Sequence, residues 1–249
     1  MRGAYQPANF PGNLDEGTVL RQLEGLEGSS VWLPLSVAQL GKFRRLLRMP
    51  TLELESIVRC IECDPLLAIS VVRLIADEVA DVEPVRISDC VVIAGRDRLF
   101  SLAKVENCAC ADLPAIQEFA ERSRLFSVIA SRLAASTKAV DPAAARLGGL
   151  LHAIGEIPVL LSGGGRDCYP MATVAGWGKR LALSWHLPSA LVRAITAYDT
   201  QVCDSTSDPM QLIIGATRLL VNSQRTEQAV PAAWLSGAQS GATGWHGSS

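Results

Sequence analysis

Three histidines and seven cysteines are the side chains of this 249-residue sequence that could do metal or proton chemistry. His152 lies in Gly149-Leu150-Leu151-His152-Ala153-Ile154-Gly155, an apolar stretch followed directly by Glu156. His186 sits in the turn-like Trp185-His186-Leu187-Pro188 and His246 in a glycine-rich terminus, so neither is a good ligand candidate. The cysteines offer two close pairs, Cys60-Ile61-Glu62-Cys63 and Cys108-Ala109-Cys110, and four thiolates could close a tetrahedral zinc site. Against that, Cys60 and Cys63 fall in a helix-patterned run, whereas zinc ribbons usually present paired thiolates from tight turns. Free cysteine is also habitually buried. The expectation is reduced core cysteines, with no metal and no cofactor. Gly163-Gly164-Gly165 reads as a loop, because it lacks the Lys-Ser/Thr and the preceding strand of a phosphate-binding loop.

Composition bounds what can surround these residues. At 49% hydrophobic the chain can bury a sizeable core without staples, and an odd cysteine count argues against a disulfide framework. With 23 basic and 25 acidic residues, net charge −2, there is no electrostatic footprint for nucleic acid or for an anionic membrane. No apolar run is expected to reach bilayer length, and Met1-Arg2-Gly3-Ala4-Tyr5-Gln6-Pro7 lacks the apolar core of a secretory signal. A cytoplasmic protein is expected, with neither nucleic acid nor membrane as partner.

The elements that must position His152 are helical by pattern, with apolar residues recurring at three and four and no sustained alternation. An all-α fold follows. Residues 1–30 read as a partly disordered N-terminal extension in which only Leu14 to Leu26 could form a helix; residues 226–249 read as a flexible tail carrying Trp234 and Trp245. Between them a domain over 31–225 is expected, in lobes of about 31–112 and 113–225. Leu35 to Leu47 predicts one helix, stopped by Met49-Pro50, and Thr51 predicts the cap of the next, which runs to about Cys63. Asp64-Pro65 predicts the cap and first residue of a deeply buried helix. Ile87 to Leu102 predicts a helix broken at Gly95, with Val91, Val92, Ile93, Leu99 and Leu102 as core candidates. Pro114 opens a long amphipathic helix to Thr137, and Asp141-Pro142 caps the one that carries His152. Helices over Val174 to Trp185, Ser189 to Tyr198 and Pro209 to Leu220 complete the set.

Several segments together resemble the HDOD domains, which are HD-related output domains of bacterial signalling proteins. They are Leu33-Pro34-Leu35-Ser36-Val37; Asp64-Pro65-Leu66-Leu67-Ala68 with Val72-Arg73-Leu74-Ile75-Ala76; Ile87 to Gly95; the His152 stretch; and Trp185-His186-Leu187-Pro188 followed by Leu191-Val192-Arg193-Ala194-Ile195. The resemblance covers roughly Val31 to Leu220. Departures stand at Asp77, Ala94 and Tyr198-Asp199, where the family more often has Asn, Leu and a pair of histidines. It implies an all-helical fold in two lobes, the second shaped like an HD phosphohydrolase, and signalling by interaction.

In HD phosphohydrolases the His152 stretch would read Gly-Leu-Leu-His-Asp-Ile-Gly, with His and Asp ligating a metal that activates water. Here Ala153 replaces the carboxylate, a degenerate metal position. Arg122-Ser123-Arg124 falls about where the superfamily's first ligating His would stand, and a guanidinium cannot ligate a metal. The resemblance therefore implies no catalytic residues and no metal. Two readings of His152 stay open. In one it is a core histidine bonded to a backbone carbonyl. In the other a pocket survives without a metal, where Arg122 or Arg124 and His152 hold a phosphate or carboxylate and Glu156 orients the imidazole. The leading expectation is a non-catalytic signalling module that binds a protein partner. The alternatives are a small-molecule sensor that takes a nucleotide or anion in the vacated pocket, and a residual metal-dependent phosphohydrolase using Asp199 or Glu156.

Overall fold

The computed structural model describes residues 15–28, 33, 35, 37–51, 53–79, 85–104, 114–165, 168–197 and 208–226. The Cys108-Ala109-Cys110 pair, Tyr198-Asp199, Trp234, Trp245 and His246 lie outside the described residues, as does most of the expected tail. Among the described residues there is no strand. Those residues form twelve α-helices in order: α1 (Glu16–Glu27), α2 (Val37–Arg48), α3 (Leu54–Ile61), α4 (Pro65–Leu74), α5 (Ala76–Val79), α6 (Ile87–Ala103), α7 (Pro114–Thr137), α8 (Pro142–Leu151), α9 (Ile157–Leu161), α10 (Met171–Ser184), α11 (Ser189–Thr196) and α12 (Pro209–Thr226). A 3-10 turn, Ile154–Glu156, joins α8 to α9.

Helix α4 is the axis of the first half. Asp64 accepts from the backbone N–H of Leu66 (2.8 Å) and of Leu67 (3.2 Å), and Pro65 fills the first helical position, where no N–H is needed. Every residue from Pro65 to Val72 is buried, so α4 is wrapped by its neighbours, with α6 and α8 against it. Helices α2, α3 and α6 pack on one another, and α7 and α8 form an antiparallel pair that anchors the second half. One large apolar cluster runs from Val19 on α1 to Ile195 on α11. A second, smaller one fills the space between α7, α8, α11 and α12, around Phe126, Ala130, Met210 and Ile214. Arg86 at the head of α6 grips Asp141, the N-cap of α8, at 3.1 and 2.8 Å, so one carboxylate closes both a helix start and a joint between the halves.

Four expectations need correction. Helix α3 is entered through Glu53, not Thr51, and Glu53 makes no side-chain cap; it accepts instead from the Ser56 hydroxyl. Val92 is 66% exposed and Ile93 37%, because Ile87, Cys90, Val91 and Ala94 form the inward stripe of α6 and leave residues 92 and 93 on the other side. Residues 1–30 are not wholly an extension: α1 buries Val19, Leu23 and Leu26 in the main cluster, against α9 and α10. Finally, Pro142–Leu161 does reach bilayer-spanning length and apolarity, but 89% of its most apolar window is buried inside the fold, as befits a core segment.

Candidate functional site

His152 stands where the α8 helix stops. It is the C-cap of α8, Ala153 leaves helical geometry at φ −108°, and the 3-10 turn then redirects the chain into α9. The turn is pinned from outside by Gly155, where an added Cβ would sit 1.9 Å from the Val174 carbonyl oxygen on α10. Gly149 does the same for α7, since a Cβ there would meet Ser127 Cα at 3.0 Å. The small residues of the stretch thus let two helices close on the His152 turn. The imidazole is 6% exposed, stacked on Phe126 of α7 with centroids 3.7 Å apart, and its Nδ1 lies 2.7 Å from the Gly149 carbonyl. A carbonyl only accepts, so Nδ1 carries a proton and donates it to Gly149. Expected as a core histidine bonded to a backbone carbonyl, His152 has that bond here.

Glu156 does something other than orient the imidazole. Its carboxylate, 2% exposed, takes both arms of the Arg122 guanidinium at 3.1 and 2.6 Å, and Arg122 itself is 15% exposed. This pair is bidentate and largely dry, so each charge depends on the other. Arg124, expected as an alternative ligand-holding cation, projects into solvent; its field acts on Asp64, whose carboxyl burial pushes up despite two backbone N–H bonds and Arg124. Helix α12 supplies what the sequence reading missed. Arg218 and Asn222, one helical turn apart, join Arg122, Ser123, His152 and Ala153 around a small, partly open cavity of about 20 Å³. The only sequence signal for them is their four-residue spacing; nothing in the chain order ties them to residues so far back in the chain.

A divalent metal does not fit the residues here. Ala153 offers a methyl group, Arg122 a cation, and Glu156 is already engaged, which among the described residues leaves the His152 ring as a lone donor where about four ligands are needed. Among the described residues no three His, Cys, Asp or Glu side chains come together in a metal-binding group. The cysteines that are described are free. Burial pushes the Cys60 thiol up, and the Cys90 thiol up to about 12, so both are core thiols and not thiolates.

An all-helical domain whose central apolar helix ends in a buried histidine turn, clasped by a long antiparallel neighbour, is the class that this architecture defines. The family is known: the HDOD domain model matches residues 33–162, more than half of the chain, and the chain belongs to that family. Two crystal structures of the MmoQ response regulator of Methylococcus capsulatus strain Bath share the fold. One, of fragment 20–298, has a TM-score of 0.60 at 15% identity and covers 86% of this chain and 93% of that one. The other has a TM-score of 0.62 at 15% identity, with 82% and 91% covered. No curated protein matches significantly.

Proposed function

We propose that the chain is a non-catalytic module of a bacterial, cytoplasmic signalling pathway that acts by binding a partner protein. The observation that carries this reading is the Arg122–Glu156 pair: beside His152 and Ala153, the carboxylate among the described residues that could ligate a metal or activate water is neutralised by a guanidinium. Membership of a family of HD-related domains supports it, and so does a shared fold with a protein described as a response regulator. On this reading the His152 stretch is kept for packing: Gly149 and Gly155 admit α7 and α10, and the histidine stacks and bonds internally.

Elemental analysis of the purified protein, combined with assays against nucleotides and simple phosphoesters, tests the absence of catalysis. Sub-stoichiometric metal and background rates that His152→Ala leaves unchanged are expected. One tightly held transition metal per chain, with a hydrolytic activity that disappears in that variant, would overturn the reading. Recovery of a stoichiometric partner with the intact chain from its native cell tests the interaction half.

A further inference from the structure

Helix α2 has a charge imbalance that nothing in the fold uses. Its inward stripe, Leu40, Phe43 and Leu47, is buried in the main cluster, while Lys42, Arg45 and Arg48 on its other side are exposed, and the helix contains no acidic residue. Among the described residues none of these three cations has a carboxylate partner. Two further guanidiniums frame them through backbone bonds: Arg44 donates to the Ala103 carbonyl at the end of α6, and Arg96 to the carbonyls of Leu47 (2.9 Å) and Met49 (3.3 Å). Glu53 and Glu55, at the entry to α3, are the acidic side chains nearest along the chain, and both are engaged, by the Ser56 hydroxyl and by Arg59. A helix dipole favours cations in the last turn, which accounts for Arg45 and Arg48 but not for Lys42. Nor does it account for Met49, 48% exposed directly after Arg48, or for Leu54, 41% exposed at the start of α3, which packs on α2. Arginine and methionine are residue types enriched where proteins meet.

We propose that this face of α2 docks an acidic, amphipathic segment of the partner protein, whose carboxylates pair with Lys42, Arg45 and Arg48 and whose apolar side chain covers Met49 and Leu54. The inference deepens the partner-binding reading above and rests on it. The three cations follow one another at three-residue spacing over about 9 Å of helix axis, so carboxylates a turn apart on a partner helix match them. Guanidiniums suit carboxylates in particular, because their planar fork donates two parallel bonds. Complementary charge of this kind speeds encounter and fixes orientation, and the apolar contact at one end holds the register. A nucleic acid is the poorer match: Glu53 and Glu55 beside Leu54 repel phosphates, and neither α2 nor α3 exposes an aromatic ring on which a base could stack.

Fluorescence anisotropy with the full chain and three labelled probes tests the surface. The probes are a helical peptide of about twenty residues with glutamates and leucines a turn apart, its counterpart with glutamines in place of the glutamates, and a single-stranded oligodeoxynucleotide of the same net charge. The acidic peptide is expected to bind at low ionic strength and to weaken steeply toward about 0.5 M salt. Arg45→Gln combined with Arg48→Gln, which removes charge at exposed positions with little change in volume, should weaken it about tenfold, and Met49→Ser several-fold. Arg132→Gln, on the exposed side of α7, leaves binding unchanged. No binding of the acidic peptide at about 1 mM, equal binding of its glutamine counterpart, full binding by the paired variant, or tighter binding of the oligonucleotide would each overturn the proposal. The surface and the reading it rests on fail differently. A partner recovered equally well by the parent and by the paired variant would remove this surface and leave that reading, whereas metal-dependent turnover lost in His152→Ala would sink that reading and leave the peptide result standing.

Discussion

Arg122 and Glu156 form a deeply buried, bidentate ion pair. Removing either alone takes from a buried charge its bidentate counter-ion, which costs about 3–5 kcal/mol, whereas replacing both with apolar residues of similar volume is often neutral. Chemical denaturation should therefore show Arg122→Met and Glu156→Leu each strongly destabilising and the double variant close to the parent; additive losses would mean that the pair is not coupled. Asp64 has the opposite character, since its charge is a liability that its geometry makes worthwhile. Its oxygen caps α4 by accepting from Leu66 and Leu67, while burial raises its pKa. Asp64→Ala should cost about 1–2 kcal/mol through loss of the cap, and Asp64→Asn, which keeps an acceptor, much less. The pH dependence follows from the sign of the shift. A carboxyl with a raised folded-state pKa is protonated more readily in the folded state, so its contribution is fully present below the unfolded value near 3.8 and is lost as pH rises through the folded value. The parent should thus gain on Asp64→Asn when both are unfolded at acid pH and lose that gain toward neutrality; a constant difference between them would refute the assignment.

At the scale of elements, proline and capping chemistry made most boundaries legible and burial direction the least. Asp64-Pro65 and Asp141-Pro142 announce α4 and α8 because a carboxylate accepts the first free N–H groups and proline needs none, and both caps are present in the structure. Thr51 misleads for the same reason: it is a good cap residue, but the chain enters α3 only at Glu53. The two-lobe resemblance could not foresee that the His152 stretch is a helix end and not a helix, because a break at Ala153 with no glycine or proline at that position leaves no local signature. Gly95 is legible as a break and now has a physical content. At φ 67° and ψ 167° it occupies a backbone region open to glycine almost alone, so α6 is two helical segments that meet at a kink there. A Cβ at Gly95 would meet nothing within 4 Å. Gly95→Ala therefore isolates backbone strain, and a loss of about 1–3 kcal/mol in denaturation midpoint analysis is expected. A neutral result would show that α6 straightens at no cost. Gly155→Ala should be far worse, because its Cβ collides with backbone of α10 that no rotamer can move.

The whole molecule is closed by its earliest described helix, and this no spacing argument could have shown, since α1 finds its seat more than 130 residues further along the chain. The C-terminal end of α1 leaves carbonyls without intrahelical partners. Trp185 donates its indole N–H to the Leu26 carbonyl at 2.7 Å, the Ser184 hydroxyl reaches the Glu27 carbonyl at 3.3 Å, and Arg73 of α4 reaches that of Gly28 at 3.3 Å while lying over the Trp185 ring. Arg180 grips the Glu27 carboxylate with both arms of its guanidinium. Arg73 comes from the first half and Trp185 from the second, so the end of α1 is a joint between them, as the Arg86–Asp141 pair is on another side. Burying Val19, Leu23 and Leu26 stabilises the fold by roughly 5–9 kcal/mol in area terms, comparable with the whole net stability of an ordinary domain. The halves should consequently melt as one. Leu23→Ala, in the α1 seat, and Phe43→Ala, fully buried on α2, should each cost about 2–5 kcal/mol. In scanning calorimetry each should move the same single transition, by roughly 5–15 °C for Leu23→Ala. If instead the parent shows two transitions, with Leu23→Ala shifting one and Phe43→Ala the other, the clasp around Trp185 does not join the halves, and a signal could not pass between them through α1.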